Sequence, residues 1–299
     1  MSRNKSLGNL ALASFGDIFA STTATLPSGE YIVHMPLAEL HPPEFNPFQI
    51  LEDKAMTSLV KSVMEYGVRE PCLARPREDG GYELVIGGRR KRASELADIP
   101  TLPVIIREMD DDSATIALVD SNILQRELLF SERAWAYRAK MEALNHSGIK
   151  GDMHSVDVLT AQTGEKKSQI FRLIRLTELV PDLLDKVDAK KLAFSPAVEL
   201  SHLTRMEQAA VVDAMAKHEI KPTHSQTVRM KKMSQAGELT ATLIDKMLSG
   251  RVKLPKQNKE ISQYGSFFPA GYTQNQMNDV ITGLLRSWQT GQARFEKAG

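Results

Sequence analysis

The chain has a single cysteine, Cys72, among 299 residues. It can form no internal disulfide, which fits a reducing compartment and predicts a cytoplasmic protein. Cys72 lies in an apolar, strand-like run, so the reading is a buried packing residue rather than a nucleophile, which would need a base and an accessible thiol. An excess of charge is also missing. The 38 Lys and Arg against 37 Asp and Glu leave a formal net charge of +1. That excludes a global basic field, so contacts with nucleic acid must come from local patches. No apolar run approaches the ~18 residues of a membrane span. The apolar stretch Asn9 to Phe15 is too short and interrupted for a signal peptide, so no membrane partner is expected. No carboxylate cluster stands at metal-ligand spacing, which argues against a metal-dependent nuclease.

What is present is ordinary for a folded protein: 42% hydrophobic and 25% charged residues. At ~150 residues per domain, two or more domains are expected. The most informative stretch is Val85-Ile86-Gly87-Gly88-Arg89-Arg90-Lys91-Arg92-Ala93. A strand, Tyr82 to Ile86, runs into two glycines and then into a helix. That order presents backbone N–H groups and the positive end of a helix to an anion. Glycine admits a phosphate close to the backbone, and Arg89 and Arg90 add planar forks that suit its oxygens. The alternative is a solvated basic helix face, and the two glycines tip the reading towards phosphate.

Around this stretch, short strands and helices alternate. Ile32 to Met35, Pro71 to Arg75, Tyr82 to Ile86 and Leu102 to Arg107 read as strands, the middle two joined by the Asp79-Gly80-Gly81 turn. Lys54 to Tyr66 is a helix ending at Gly67, and Arg89 to Ala97 is a second. Thr115 to Leu129 reads as a third, with Ile116, Val119 and Ile123 as its buried stripe and Asn122 and Arg126 on the opposite edge. Ser131 is the expected cap of a helix running to about Leu144.

Val156 to Thr163, Gly164, and Glu165 to Leu176 give a helix, a turn and a second helix, the helix-turn-helix layout. Ile170, Leu173 and Ile174 are expected inside, with Gln169, Arg172 and Arg175 facing outward. Lys166, Lys167 and Ser168 gather at the helix start, where phosphates are met. More helices follow: Pro181 to Val187, one opened by Ser195-Pro196, Thr204 to Lys217, Thr223 to Met233 and Leu239 to Leu248. A polar connection from 251 to 273 leads to a terminal helix whose Met277, Val280, Ile281, Leu284, Leu285 and Trp288 share one face.

The residues carry a resemblance. Gly87 to Ala93 resembles the GERRxRA box of the ParB family of plasmid and chromosome partition proteins. His41-Pro42-Pro43-Glu44-Phe45-Asn46-Pro47, Tyr66-Gly67-Val68-Arg69-Glu70-Pro71 and Asn122-Ile123-Leu124-Gln125-Arg126-Glu127 resemble its other boxes, in the family's order. The likeness covers roughly residues 35 to 200. The region beyond 250 is closer to forms carried on plasmids and conjugative elements.

The resemblance implies an α+β nucleotide-binding module, an all-α helix-turn-helix domain and a C-terminal helical segment. The implied boundaries are an N-terminal arm at 1–34, the nucleotide domain at 35–130, the DNA-binding domain at 131–250, and a linker with a dimerising helix at 251–299. It implies CTP with Mg²⁺, held by Gly87, Gly88, Arg89, Arg90, Asn122 and Arg126, with Asn122 beside the metal and the nucleotide phosphates. It implies double-stranded DNA with a short palindromic site, read by Lys166, Lys167, Ser168, Gln169, Arg172 and Arg175. Its other implied partners are a ParA-type ATPase contacted by the arm, and a second copy of the chain.

Two departures matter. Gly88 and Ser121 stand where the family has glutamates, and Asn122 is four residues before Arg126 rather than three. Loss of carboxylates near the metal predicts nucleotide binding with slow hydrolysis at most, and the sequence assigns no catalytic residue. The expected function is a CTP-gated DNA clamp at a centromere-like site of a plasmid, mobile element or chromosome. A transcriptional repressor of the same fold, without spreading along DNA, is the alternative, and a ParB-like nuclease, which no carboxylate cluster favours, is a weaker one.

Overall fold

The computed structural model describes residues 32–123, 128–146, 152–250, 267–269, 272 and 274–295. They fall into two units divided between Leu248 and Ser249.

The first unit opens with a five-stranded mixed sheet: β1 (Ile32–Pro36), β2 (Leu40–His41), β3 (Cys72–Pro76), β4 (Tyr82–Ile86) and β5 (Thr101–Ile106), in the order β1-β5-β3-β4-β2. β3 lies at the centre, antiparallel to β4 through the hairpin and parallel to β5. β2, two residues pairing in parallel with Tyr82 and Glu83, is invisible to pattern reading because it is too short for alternation.

Alternation along the strands sorts two cores. Met35, Leu40, Cys72, Ala74, Leu84, Leu102 and Val104 pack on one side. Leu73, Val85, Ile86 and Ile105 pack on the other, with Phe48. Helix α1 (Lys54–Tyr66) is capped by Asp53, whose carboxylate accepts from Met56 N–H at 2.8 Å. That backbone bond holds the Asp53 carboxyl below its usual range. Met56 and Val63 of α1 meet Ala93 of α2 (Gly88–Leu96) in a small satellite core.

α3 spans Asp111–Ile123, so it begins four residues before the expected Thr115, and residues 128 and 129 are no longer helical. Its buried face is Ala114, Leu118, Val119 and Ser121. Of the expected stripe only Val119 is fully inside.

α4 (Phe130–His146) is the hub of the helical half, packing against α3, α5 (Asp152–Thr163), α6 (Lys167–Ile174) and α7 (Pro181–Asp188). Ser131 lies inside α4 and does not cap it. Its N–H donates to Asp188 Oδ1 at 3.0 Å, while Glu132 accepts from Leu129 N–H at 3.0 Å. α8 (Phe194–Leu200) has Ala193 at its cap, so Ser195 and Pro196 lie within its first turn. α9 (Arg205–His218) and α10 (His224–Gln235) open on capping boxes at Thr204 and Thr223, and α11 (Ala241–Leu248) closes the unit.

In the second unit, α12 (Gln274–Phe295) leaves Val280, Leu284, Leu285 and Trp288 exposed. Among the described residues no helix is long and apolar enough to cross a membrane.

Candidate functional site: a basic turn on a cleft and a helix pair

β4 ends at Ile86, and the chain turns at Gly87 into α2. Gly87 has φ +116°, and a Cβ there would lie 2.3 Å from Cys72 Sγ. Both backbone and packing therefore require glycine. The helical bonds begin with Lys91 N–H on Gly87 O at 2.9 Å. The N–H groups of Gly88, Arg89 and Arg90 thus have no partner within the helix and sit at its positive end.

Gly88, Arg89 and Arg90 line a cleft of about 270 Å³. The sequence-predicted Gly87, Gly88, Arg89, Arg90 and Asn122 all line it, and Arg126 lies outside the described residues. The opposite wall, including Asn46, Gln49 and Ile50, was not among the predicted site residues. It is held by Asn46 Oδ1, which accepts from Phe48 N–H at 3.0 Å, and by Glu132, which accepts from Gln49 N–H at 2.8 Å. The Phe45-Asn46-Pro47 segment signalled this wall only through its likeness to a known box.

The arginines differ in what they are already doing. Arg90 donates to the carbonyls of Glu70 and Pro71, both at 2.8 Å. Arg92 pairs with Glu52 and Glu95, and Lys91 donates to Leu40 O at 2.7 Å. Among the described residues Arg89 has only Asp53, at 3.5 Å, the outer limit of a hydrogen bond. Asn122 donates its amide to Leu118 O at 2.8 Å and to Ser121 Oγ at 3.1 Å, which leaves its carbonyl oxygen as the acceptor on that wall. Ser121 is buried with its hydroxyl on Leu118 O. Gly88 has room, its nearest neighbour being Ile50 Cδ1 at 3.4 Å. Among the described residues no group of three His, Cys, Asp or Glu is placed to hold a metal.

The second site is the α5–α6 pair, joined through Gly164 at φ +70°. α6 is shorter than expected and passes into a 3-10 turn at Arg175–Glu178. Ile170 and Leu173 are fully buried, as the pattern required. Arg172 and Arg175, expected to face outward, are half-buried and already have partners within the chain. Arg172 donates to Ser195 Oγ at 3.0 Å and lies 4.8 Å over the Phe194 ring; Arg175 donates to Ser201 O at 2.9 Å. Both are bonded to α8 and its C-terminal end, a long-range contact that helical periodicity cannot foresee. Lys167 pairs with Asp157 on α5. Lys166 and Ser168 are exposed, and so is Phe171, at 44%, a residue not singled out from sequence.

Residues 21–123 match the family model described as the ParB N-terminal domain. Over that segment the chain is similar to a ParB N-terminal domain. The cleft lies within the matched residues, with Gly87–Arg92 on one wall and Ser121 and Asn122 on another. Similarity extends beyond the domain. The chain is 29% identical over 198 residues to the probable chromosome 1-partitioning protein ParB of Deinococcus radiodurans, covering 66% of this chain and 65% of that protein. It is 29% identical over 166 residues to the chromosome-partitioning protein Spo0J of Thermus thermophilus, covering 55% of this chain and 58% of that one. It is 31% identical over 183 residues to a nucleoid occlusion protein of Bacillus velezensis, 60% of each. The chain therefore spans less than two thirds of the length of these relatives.

Among solved structures, the C-terminally truncated ParB of Caulobacter crescentus complexed to the centromeric parS site covers 74% of this chain and 100% of its own, at 19% identity and TM-score 0.41. The same protein complexed with CTP-γ-S covers 63% and 99%, at 23% identity and TM-score 0.30.

Proposed function

We propose that this is a ParB-like partition protein, a sequence-specific DNA-binding protein whose hold on DNA is gated by CTP. The observation that carries the reading is the Gly87 turn in a ParB N-terminal domain. Glycine is obligatory there, the three residues with helix-end N–H groups line a cleft, and Arg89 among them has a weakly held guanidinium. These groups suit the triphosphate. The Asn122 carbonyl oxygen suits a Mg²⁺ that is held mainly by phosphate oxygens, as Mg²⁺ usually is. When bound, the ion would neutralise phosphate charge, while the chain itself positions the nucleotide.

The α5–α6 pair is the proposed helix-turn-helix. Lys166 and Ser168 meet phosphates at the start of α6, and Gln169 and Phe171 meet base edges, Phe171 suiting a thymine methyl. The exposed apolar face of α12 suits a second copy of the chain. That copy supplies the two-fold symmetry of a palindromic DNA site and the second arm of a clamp. The ParA-type ATPase remains the proposed partner of the N-terminal arm.

Calorimetry of the chain with each of the four NTPs and Mg²⁺ tests the nucleotide. CTP is expected to bind in preference to the others. Arg89→Ala should weaken it by about 1.5–3 kcal/mol, the range of a charge-assisted bond, without lowering thermal stability. Equal affinity for all four nucleotides, or no binding, rejects the CTP reading. Arg90→Ala should lower affinity and stability together, because its guanidinium also ties down the Glu70 and Pro71 carbonyls.

A further inference from the structure

Among the described residues of the first unit, one lysine has no exposed side-chain surface. Lys140, in the middle of α4, donates to Asp120 Oδ1 on α3 and to Gln162 Oε1 on α5. An ammonium out of water is tolerated only while such partners remain in place. Burial pushes the Lys140 pKa down, and Asp120 opposes that shift.

The positions of the partners give the contact its meaning. Asp120 immediately precedes Ser121 and Asn122, which line the cleft. Gln162 stands two residues before Gly164, the turn between α5 and α6. α4 is bonded to the cleft at a second point, where Glu132, 1% exposed, accepts from Gln49 N–H. A single helix thus joins both walls of the cleft to the first helix of the α5–α6 pair.

We propose that Lys140 is a positioning residue that couples the cleft to the helix pair, its ammonium forcing α3 and α5 to move together relative to α4 or not at all. This rests on the CTP and DNA reading given above. A ligand that shifts α3 at Asn122 draws Asp120 with it. The Lys140 ammonium follows its charged partner, and α5 must then follow too, or the buried ammonium loses its bond to Gln162. Intermediate positions are disfavoured, which makes the junction two-state rather than elastic. Nucleotide and DNA affinities are then linked reciprocally through this one contact.

The test measures CTP affinity of the full chain with and without a saturating duplex, selected by the wild-type chain from a random-sequence pool. The ratio of the two affinities is the coupling, typically about 5- to 150-fold. Lys140→Met keeps the length and apolar stem of the side chain, and Asp120→Asn accompanies it so that no carboxylate is stranded. In this double variant the ratio is expected to fall to about one, while CTP and duplex each still bind. Gln162→Leu, at a half-buried site, removes only the α5 contact and should also lower the ratio; circular dichroism confirms its fold. A wild-type ratio retained in either folded variant overturns the proposal and leaves the CTP and DNA reading standing. A wild-type chain that binds neither ligand, or binds both without coupling, rejects that reading and the proposal with it.

Discussion

The two basic regions, Gly87–Arg92 and Lys166–Arg175, look alike in sequence: a glycine turn, a helix start and a cluster of cations. In the structure they work in opposite ways. At the first, the groups offered to a ligand are chiefly backbone N–H groups at the end of α2, and the one weakly engaged guanidinium, Arg89, stands beside them. At the second, the guanidinium groups are half-buried and already engaged. Arg172 and Arg175 fasten α6 to α8, and what faces outward is Lys166, Ser168 and Phe171. A planar fork that has found an oxygen and an aromatic ring is a structural bolt, and its charge says little about what the surface will bind.

The largest test of this contrast is Gly87→Ala. Strain at a left-handed φ and overpacking against Cys72 each cost about 1–3 kcal/mol. Urea melts should therefore show a loss of roughly 2–6 kcal/mol. Adding Cys72→Ala should recover only part of it, because the Cys72 Cβ is itself 2.9 Å from the new methyl. Full recovery would mean that the backbone conformation is unstrained.

Next in size is Arg172→Ala, which removes a bond to Ser195 and the contact with Phe194. A stability loss of about 1–2 kcal/mol is expected by chemical denaturation. Lys166→Ala, in contrast, should leave stability within about 0.5 kcal/mol. It should flatten the salt dependence of DNA binding by about one unit. If Arg172→Ala leaves stability unchanged and relaxes DNA sequence preference instead, the contrast between the two regions collapses.

The smallest expected effect on folding is that of Gly88→Glu. Its φ is ordinary for a helix and the nearest atom is 3.4 Å away, so stability should change by less than about 1 kcal/mol. A faster release of phosphate from CTP in this variant would tie slow turnover to the missing carboxylate. The same replacement at Ser121 is a poor test, because that side chain is buried and its hydroxyl already bonded.

Local signals were legible where local physics decides. The α1 boundaries, the β3–β4 hairpin, the Gly87 turn and the helix starts near Thr204 and Thr223 follow from period and turn chemistry. What could not be read depends on distant partners. Whether Arg172 is free depends on Ser195, and whether Glu132 serves α4 or the cleft wall depends on Gln49, 83 residues away. The Asn46–Ile50 wall has no secondary structure and hence no periodicity to detect. The α3 stripe was misplaced because a helix covered on several sides, by sheet and by α4, has no single apolar face.

Cys72 gives the molecule a reporter that needs no engineering. It is the sole thiol in the chain, fully buried beneath the Gly87 turn, and burial pushes its pKa up. A thiol-reactive dye can reach it only when the central strand of the sheet opens, since the thiolate is the reacting form. The labelling rate in native buffer therefore reads the opening equilibrium of the sheet directly below the cleft. A ligand seated on the turn should slow that chemistry in proportion to its occupancy.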